Sequence, residues 1–188
     1  KTLAESRGEL RRAIENVEVA CGIPTLMQGY NLEDVARGID EMMIRQPLGV
    51  VAAITPFNFP AMIPFWFLPY AIACGNTFVL KPSEKVPLTM RRAFEIMEAL
   101  KLPPGVINLV FGSGSEIGPA ALSSPELAGV HFTGSTAVGA RLMGLAARDL
   151  KRVSLELGGK SPNIVFADAD IDQAAASSPM SVFANTGQ

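Results

Sequence analysis

Cysteine and histidine are scarce in this sequence. Its 188 residues include two cysteines, Cys21 and Cys74, and one histidine, His131. Because the cysteines lie far apart without CxxC spacing and no secretory signal precedes them, we expect unpaired, inert packing thiols and a cytoplasmic location. His131 has no partner at ligand spacing, so the sequence predicts no metal site.

Charges of one sign are not concentrated anywhere in the chain. The formal net charge is -2, from 16 basic and 18 acidic residues. Nucleic acids and anionic membranes bind basic patches, so we expect neither as a partner. The expected ligand is a small molecule or another subunit.

One long stretch, between Arg45 and Lys81, has no charged residue at all. It is longer than the roughly 20 residues that span a bilayer. Proline disrupts a helix because it lacks the amide hydrogen, and prolines interrupt this stretch at Pro56, Pro60, Pro64 and Pro69. Buried strands and a short core helix therefore explain the stretch better than a membrane span does.

The first part of the chain predicts a surface helix followed by an arm. Leu3, Leu10 and Ile14 share one face of an amphipathic helix that stops at Gly22. Residues 25–40 are mixed and polar without a firm period. Residues 42–44 are apolar and predict a strand that forms an edge or an arm.

From residue 50 onward, short β-branched runs alternate with amphipathic helices. We predict strands at 50–54, 77–80, 106–110, 129–132, 152–155 and 164–166, and helices at 61–73, 87–100, 116–122, 135–147 and from Asp170. Such βαβ units form a parallel sheet covered on both faces. The predicted fold class is α/β, a doubly wound parallel sheet of the Rossmann type, in one partial domain over residues 1–188.

Ligands of open parallel sheets bind where loops follow the carboxyl ends of strands. The loops in that position are 55–60, 81–86, 111–115 and 133–136. Gly112-Ser113-Gly114 with Gly118 misses the GxGxxG spacing by one residue. Gly159-Lys160-Ser161 lacks the P-loop glycine five residues earlier, where Ser154 stands, so we reject a P-loop.

Two of these loops carry polar residues that suit a nucleotide. Thr133-Gly134-Ser135-Thr136 opens a helix, where free N–H groups favour a phosphate, but an ordinary N-cap fits the same residues. Lys81-Pro82-Ser83-Glu84 sets a cation and a carboxylate at a strand end, which suits ribose hydroxyls or a solvated turn. The residues alone leave both alternatives open.

Five motifs occur in order along the chain. They are Pro56-Phe57-Asn58-Phe59-Pro60, Lys81-Pro82-Ser83-Glu84, residues 132–139, Leu155-Glu156-Leu157-Gly158-Gly159-Lys160 and Asn185-x-Gly187-Gln188. Together they resemble the aldehyde dehydrogenase superfamily over essentially all 188 residues. The resemblance implies an enzyme that oxidises an aldehyde with NAD, NADP being the alternative cofactor.

The resemblance also implies which residues contact the cofactor. Lys81 and Glu84 would hold the adenine ribose, and Ser135 would contact the pyrophosphate. The other implied contacts are Thr55, Pro56, Phe57, Ser83, Gly114, Phe132, Gly134, Leu157 and Gly158.

For catalysis, the resemblance implies roles for Asn58 and Glu156. A thiolate adds to the aldehyde, and the Asn58 amide would stabilise the resulting alkoxide. Glu156 would be the general base that activates water to hydrolyse the thioester. The nucleophilic cysteine is expected two residues after Gln188, with the catalytic domain beyond it, so these 188 residues alone should bind nucleotide at most.

The branch of the family is less closely defined. Residues 60–78 are similar to methylmalonate-semialdehyde dehydrogenases, which pass the acyl group to coenzyme A. That branch generally lacks the general-base glutamate, so Glu156 favours release of a carboxylic acid, from a small semialdehyde or another aldehyde. Many hydrolytic members carry a lysine where this chain has Phe67, which bears on the proton path from the base. Coenzyme A acylation and a non-catalytic nucleotide-binding or subunit-interface module are the alternatives.

The resemblance finally implies self-association. Residues 31–46 match the position of the intersubunit arm that this family uses. We therefore expect a homodimer or homotetramer of the complete protein.

Overall fold

The structure is a computed structural model that describes residues 1–188. The helices are α1 (Leu3–Ala20), α2 (Ile23–Leu26), α3 (Met62–Phe65), α4 (Leu68–Ala73), α5 (Pro87–Glu98), α6 (Gly114–Ser123), α7 (Thr136–Ala146) and α8 (Ile171–Phe183). The strands are β1 (Tyr30–Ala36), β2 (Ile39–Met43), β3 (Val50–Ile54), β4 (Thr77–Lys81), β5 (Ile107–Leu109), β6 (Leu127–Thr133) and β7 (Arg152–Glu156). Short 3-10 turns cover Ala147–Asp149 and Ala184–Gly187.

Five strands form one parallel sheet in the order β5-β4-β3-β6-β7. The chain builds outward from β3 through β4 to β5, then returns to the other side of β3 and continues through β6 to β7. The strand order therefore reverses between β3 and β6, and a crevice at such a switch point is the usual ligand position in this architecture. The predicted α/β class and parallel sheet are confirmed.

The sheet is covered on both faces, which explains why its strands read as nearly continuous apolar runs. On one face, Ala52, Val130 and Phe132 pack with Leu122 of α6 and Leu142 of α7. The opposite face holds a second buried cluster: Ala13, Ala53, Ala61, Leu68, Phe78, Leu80 and Met90. Helices α1, α4 and α5 supply the cover on that side. Alternate residues of a strand point to opposite faces, so one strand contributes to both clusters.

A buried carboxylate docks α1 against the rest of the domain. Glu9 is 6% exposed, and its Oε1 accepts hydrogen bonds from the Ala61 and Met62 amides at 2.6 and 3.1 Å. Its other oxygen pairs with Lys1 Nζ at 2.5 Å. Because Ala61 and Met62 begin α3, the carboxylate satisfies N–H groups that a helix start leaves unpaired.

The helix predicted over 61–73 is divided into α3 and α4. Phe67 interrupts the helical run with φ of -123° and ψ of -45°. Pro69 lies in the first turn of α4, where backbone N–H groups have no acceptor within the helix, so the missing N–H of proline costs no hydrogen bond. Within a continuous helix the same ring would clash with the carbonyl four residues earlier, so the break follows from the sequence.

Strands β1 and β2 form an antiparallel hairpin in which every residue is exposed. The sequence predicted a strand only at 42–44, within an arm. A strand with both faces in solvent needs no alternation of apolar and polar residues, so residues 30–36 carried no periodic signal.

The strand predicted at 164–166 is wrong. Residues 161–166 form no regular element, and the side chains of Ile164, Val165 and Phe166 are exposed. A strand needs a neighbour for its backbone hydrogen bonds, and β7 ends the sheet without another strand beside it. A β-branched composition alone could not supply that neighbour.

The expectation that both cysteines pack in the interior is wrong for Cys21. Both thiols are unpaired, but Cys21 is exposed at the end of α1 and Cys74 is half-buried after α4. The residues between Arg45 and Lys81 form β3, α3, α4 and β4. None of the helices combines the length and the apolar character needed to cross a bilayer.

Candidate functional site

A cleft of about 570 Å³ opens at the carboxyl ends of β3, β4 and β6, on either side of the switch point. The loops that follow these strands, and the first turns of α6 and α7, form its walls. Its volume is in the range of small-molecule and cofactor sites.

Nearly all of the predicted cofactor contacts line this cleft. They are Thr55, Pro56, Phe57, Lys81, Ser83, Glu84, Gly114, Phe132, Gly134 and Ser135. These residues come from four separate stretches of sequence, and only the parallel sheet brings them together. Leu157 and Gly158 do not line it.

A buried lysine and a surface carboxylate form an ion pair in the cleft. The side chain of Lys81 is 4% exposed, and its Nζ donates to Glu84 Oε2 at 2.5 Å. This hydrogen bond holds the pKa of the Glu84 carboxyl below its usual range, so Glu84 is ionised at neutral pH. Lys81 keeps N–H donors that this hydrogen bond does not use, and Glu84 keeps its second carboxylate oxygen as an acceptor. The two groups lie side by side, so together they could bind two adjacent hydroxyl groups of a ligand.

Thr55 carries a buried polar atom without a partner. The residue is 3% exposed, its amide donates to the Lys81 carbonyl at 3.1 Å, and its Oγ1 makes no hydrogen bond. Buried hydroxyls are seldom left unpaired in proteins. Thr55 lines the cleft, although this oxygen itself is buried beneath its wall.

Helix α7 begins at the cleft. Ser135 is its N-cap, with the Oγ accepting from the Val138 amide at 3.4 Å, so the N-cap interpretation holds geometrically. Gly134 donates to the Glu156 carbonyl at 3.0 Å. A Cβ added to Gly134 would lie 2.5 Å from the Phe132 ring, which only glycine avoids. The remaining free N–H groups of the first turn favour an anion.

The glycines of the 112–118 motif have different uses. Gly114 begins α6, after the N-cap Ser113, and a Cβ there would lie 3.6 Å from Lys81 Nζ. A Cβ on Gly118 would lie 3.1 Å from the Leu142 side chain. Gly118 therefore allows α6 and α7 to pack closely. This packing explains the glycine without a role in a dinucleotide-binding fingerprint.

Sequence reasoning missed part of the cleft wall on α7. Val138, Arg141 and Leu142 line it, although none of the three was predicted as a contact; Val138 lies within the 132–139 motif, and the other two lie beyond it. They follow the N-cap Ser135 at helical spacing and so share its face of the helix. Once the helix and its cap are predicted, this periodicity could have identified them. Lys85 also lines the cleft, with its Nζ 4.7 Å from the centre of the Phe57 ring.

Leu157 and Gly158 lie beside α7, outside the cleft lining. A Cβ added to Gly139 would meet the Leu157 side chain at 2.4 Å, and one added to Gly158 would lie 3.8 Å from Thr136 Oγ1. Their cofactor contacts stay a prediction. What the geometry does show is packing of the segment after β7 against the first turns of α7.

Asn58 lies in a neighbouring cavity of about 420 Å³. Phe57 and Lys85 line both this cavity and the cleft, so the two spaces adjoin. The Asn58 Nδ2 donates to the Gln188 carbonyl at 3.3 Å, and the Asn185 side chain donates to the Asn58 carbonyl at 3.1 Å. The predicted catalytic amide is therefore beside the Asn185-x-Gly187-Gln188 motif, 130 residues away in sequence.

Glu156 is the last residue of β7, directly opposite Thr133 of β6. Its side chain is exposed, and its backbone carbonyl accepts the hydrogen bond from the Gly134 amide. The structure brings Glu156 to the same edge of the sheet as the cleft.

His131 has a structural environment of its own. It is 6% exposed, and its ring stacks on Phe67 with 3.4 Å between centroids and 23° between planes. Burial lowers the pKa of His131 to about 4, so the ring is neutral at neutral pH. No group of three or more His, Cys, Asp or Glu side chains is arranged to hold a metal ion.

Comparison with known sequences identifies the class of protein. The model of the aldehyde dehydrogenase family matches residues 1–188, so the chain belongs to that family. Malonate-semialdehyde dehydrogenase 3 of Geobacillus kaustophilus is 46% identical over all of this chain. The chain spans 39% of that relative's length.

Solved structures agree with this assignment. Methylmalonate-semialdehyde dehydrogenase from Oceanimonas doudoroffii is 42% identical, with a TM-score of 0.89 over 96% of this chain and 37% of its own. An aldehyde dehydrogenase from Bacillus cereus, solved as an NAD complex, is 36% identical, with a TM-score of 0.87 over 95% of this chain and 36% of its own.

Proposed function

We propose that the complete protein oxidises a small semialdehyde to a carboxylic acid with NAD, and that residues 1–188 form its NAD-binding part. The observation that carries the proposal is the cleft at the switch point, which collects the predicted cofactor contacts into one site of about 570 Å³. NADP is the alternative cofactor. Similarity to relatives named for malonate and methylmalonate semialdehydes supports the substrate class.

The residues of the cleft fit a dinucleotide. Lys81 and Glu84 would hold the two ribose hydroxyls, because one offers donors and the other an acceptor at adjacent positions. The start of α7 at Ser135 would hold a phosphate, because its free N–H groups and the helix dipole favour an anion.

When bound, NAD supplies the acceptor for the hydride that leaves the substrate carbon. In this proposal the Asn58 amide donates to the substrate oxygen while that oxygen carries negative charge. Its proximity to Gln188 supports this role, because the family resemblance implies a nucleophilic cysteine two residues further on. No residue of this chain is proposed as the nucleophile.

Glu156 is proposed to release the product. Its carboxylate would take a proton from water, and the resulting hydroxide would attack the carbonyl of the acyl thioester so that the thiolate leaves and the acid forms. The alternative is transfer of the acyl group to coenzyme A, which the similarity to methylmalonate-semialdehyde dehydrogenase favours. In that case an incoming thiolate replaces water and needs no base at Glu156.

Glu156→Gln in the complete protein tests the proposal. The variant should release one NADH per site as a burst, because Glu156 acts only after hydride has left. The steady rate should then fall by roughly 100- to 10,000-fold, the usual range for general-base catalysis. Rapid-mixing absorbance of NADH, with and without coenzyme A, measures both phases.

Coenzyme A separates the two reactions. In the proposed hydrolytic enzyme it restores nothing to the variant. If the variant keeps most of its turnover with coenzyme A, the enzyme acylates coenzyme A instead. Turnover at the parental rate without coenzyme A removes Glu156 from the mechanism. Glu126→Gln, which replaces an exposed glutamate outside the cleft, is the matched control.

We also propose that the β1–β2 hairpin is an intersubunit arm and that the complete protein is a cytoplasmic homodimer or homotetramer. The hairpin supports this because Tyr30, Leu32 and Ile39 are exposed on it. Exposed apolar groups on a two-stranded ribbon favour pairing with another chain. Light scattering of the complete protein with and without residues 30–43 measures the number of subunits. The same number of subunits in both proteins would refute the proposal.

A further inference from the structure

His131 is the one histidine of the chain, and neither the proposed reaction nor a metal uses it. It lies in the middle strand pairings of the sheet, opposite Ala53 of β3 and Ser154 of β7. Its ring faces the α4 side, against Phe67, at the point where the chain enters that helix. The cleft lining begins with the next residue of β6, Phe132.

The ring connects β6, whose carboxyl end borders the cleft, with the neighbouring strand β7. His131 Nε2 is 2.7 Å from Thr133 Oγ1, and His131 Nδ1 is 3.2 Å from Ser154 Oγ. Hydroxyl groups both donate and accept, so a neutral imidazole is satisfied in either tautomer. Buried, stacked and bonded at both nitrogens, the ring has one orientation.

Thr133 transmits this constraint to the cleft. It is the last residue of β6 and part of the cleft wall, and Gly134 and the N-cap Ser135 follow it directly. Gly134 in turn donates to the Glu156 carbonyl on the neighbouring strand. A fixed Thr133 side chain therefore limits the freedom of the turn whose N–H groups face the cleft.

We propose that His131 is a positioning residue for the cofactor: by holding Thr133 Oγ1, it keeps the turn between β6 and α7 in the shape that binds the dinucleotide phosphate. This rests on the proposed function. Without the hydrogen bond between His131 and Thr133, the turn would be ordered only when the cofactor binds, and the entropy cost of that ordering would lower the affinity. The loss should correspond to one hydrogen bond, about fivefold in the dissociation constant.

Two amide substitutions separate the two ring nitrogens. In His131→Gln the amide reaches the region of Nε2 and can still bond Thr133, whereas in His131→Asn it reaches only the region of Nδ1 and Ser154. Calorimetric titration of the complete protein with NAD should give weakening of about fivefold for His131→Asn. His131→Gln should stay within about twofold of the parent.

The partner hydroxyls provide a second matched pair. Thr133→Val keeps the shape of the side chain and should weaken NAD about fivefold, with no further loss on adding His131→Asn. Ser154→Ala removes the bond on the far side of the ring and should leave NAD affinity unchanged. NMR of the complete protein reports on the ring directly, once the His131 signal is assigned by its absence from the His131→Asn spectrum: saturating NAD should shift that signal in the parent and less in Thr133→Val.

A purely structural role would lower the unfolding midpoint of these variants while NAD affinity stays at the parental value, and that result overturns the inference. Equal weakening by Ser154→Ala and Thr133→Val also overturns it. If the parent itself does not bind NAD, the proposed function fails together with this inference. NAD binding that is strong in the parent and in every variant contradicts the inference alone.

Discussion

The cleft and the surroundings of Asn58 and Glu156 differ in how far their side chains are buried and paired. In the cleft, Lys81 is 4% exposed and paired with Glu84, and the wall comes from several loops and helices of the same sheet. Glu156, by contrast, is exposed, and the Asn58 side chain bonds only to the backbone of Phe59 and Gln188. The proposed cofactor site is therefore built within one sheet and its helices, whereas the two residues proposed for catalysis lie outside that cleft.

The largest loss of activity is expected for Asn58→Ala. Removing a donor from a developing oxyanion usually costs 100- to 1,000-fold in kcat, roughly, and we expect that loss here. The dissociation constant for NAD should change less than about twofold, because Asn58 lies in the adjoining cavity. Steady-state kinetics and titration measure the two quantities. A large loss of NAD affinity would mean that the two sites are not separable.

Protonation of His131 should lower the free energy of unfolding, because the ring is buried next to the cleft. Since the folded pKa is about 4 and the ordinary value 6.5, the unfolded chain binds the proton first as the pH falls. The contribution of neutral His131 is fully present above pH 6.5 and is lost between pH 6.5 and 4, about 3 kcal/mol in all.

Denaturant unfolding of the parent and of His131→Phe across that pH range measures the effect. The substitution keeps an aromatic ring on Phe67 but cannot bind a proton, so acid should destabilise it less than the parent. The groups that contact the ring, Phe67, Ser154 and Thr133, carry no charge and do not complicate the difference. Parallel pH curves for the two proteins would place the His131 pKa near its ordinary value.

The preference for NAD over NADP tests the proposed role of Glu84 in the cleft. Glu84 is ionised, and a carboxylate repels the 2′-phosphate of NADP. Glu84→Gln should therefore shift the ratio of NADP to NAD dissociation constants about tenfold towards NADP, as expected from the loss of one unfavourable charge contact. Glu116→Gln, on the exposed first turn of α6, is the control. An unchanged ratio would place Glu84 away from the ribose.

The smallest effect concerns the two N-cap serines. Ser135→Ala and Ser113→Ala should each lower the free energy of unfolding by about 1 kcal/mol, because each caps a helix. If Ser135 also contacts phosphate, its substitution weakens NAD more than Ser113→Ala does. Equal effects on NAD would favour the plain N-cap interpretation that the sequence left open. Chemical denaturation and NAD titration of both variants decide.

Much of this arrangement could be predicted from the sequence because it depends on local rules. Buried parallel strands carry continuous apolar runs, and the residues at their carboxyl ends, such as Lys81 and Ser135, are polar for a reason that a motif can express. The β1–β2 hairpin and the irregular segment at 164–166 escaped such rules. The hairpin has no buried face, and residues 164–166 have strand-like composition but no neighbouring strand.

The α/β class, the parallel sheet and the identity of most cleft residues follow from the sequence alone, because short-range pattern and family resemblance carry that information. Only the tertiary structure decided that Asn58 meets Gln188, that Arg141 lines the cleft and that His131 joins Thr133 to Ser154. These contacts join residues from different strands and helices, and their distances depend on how the sheet packs. No local pattern encodes that packing.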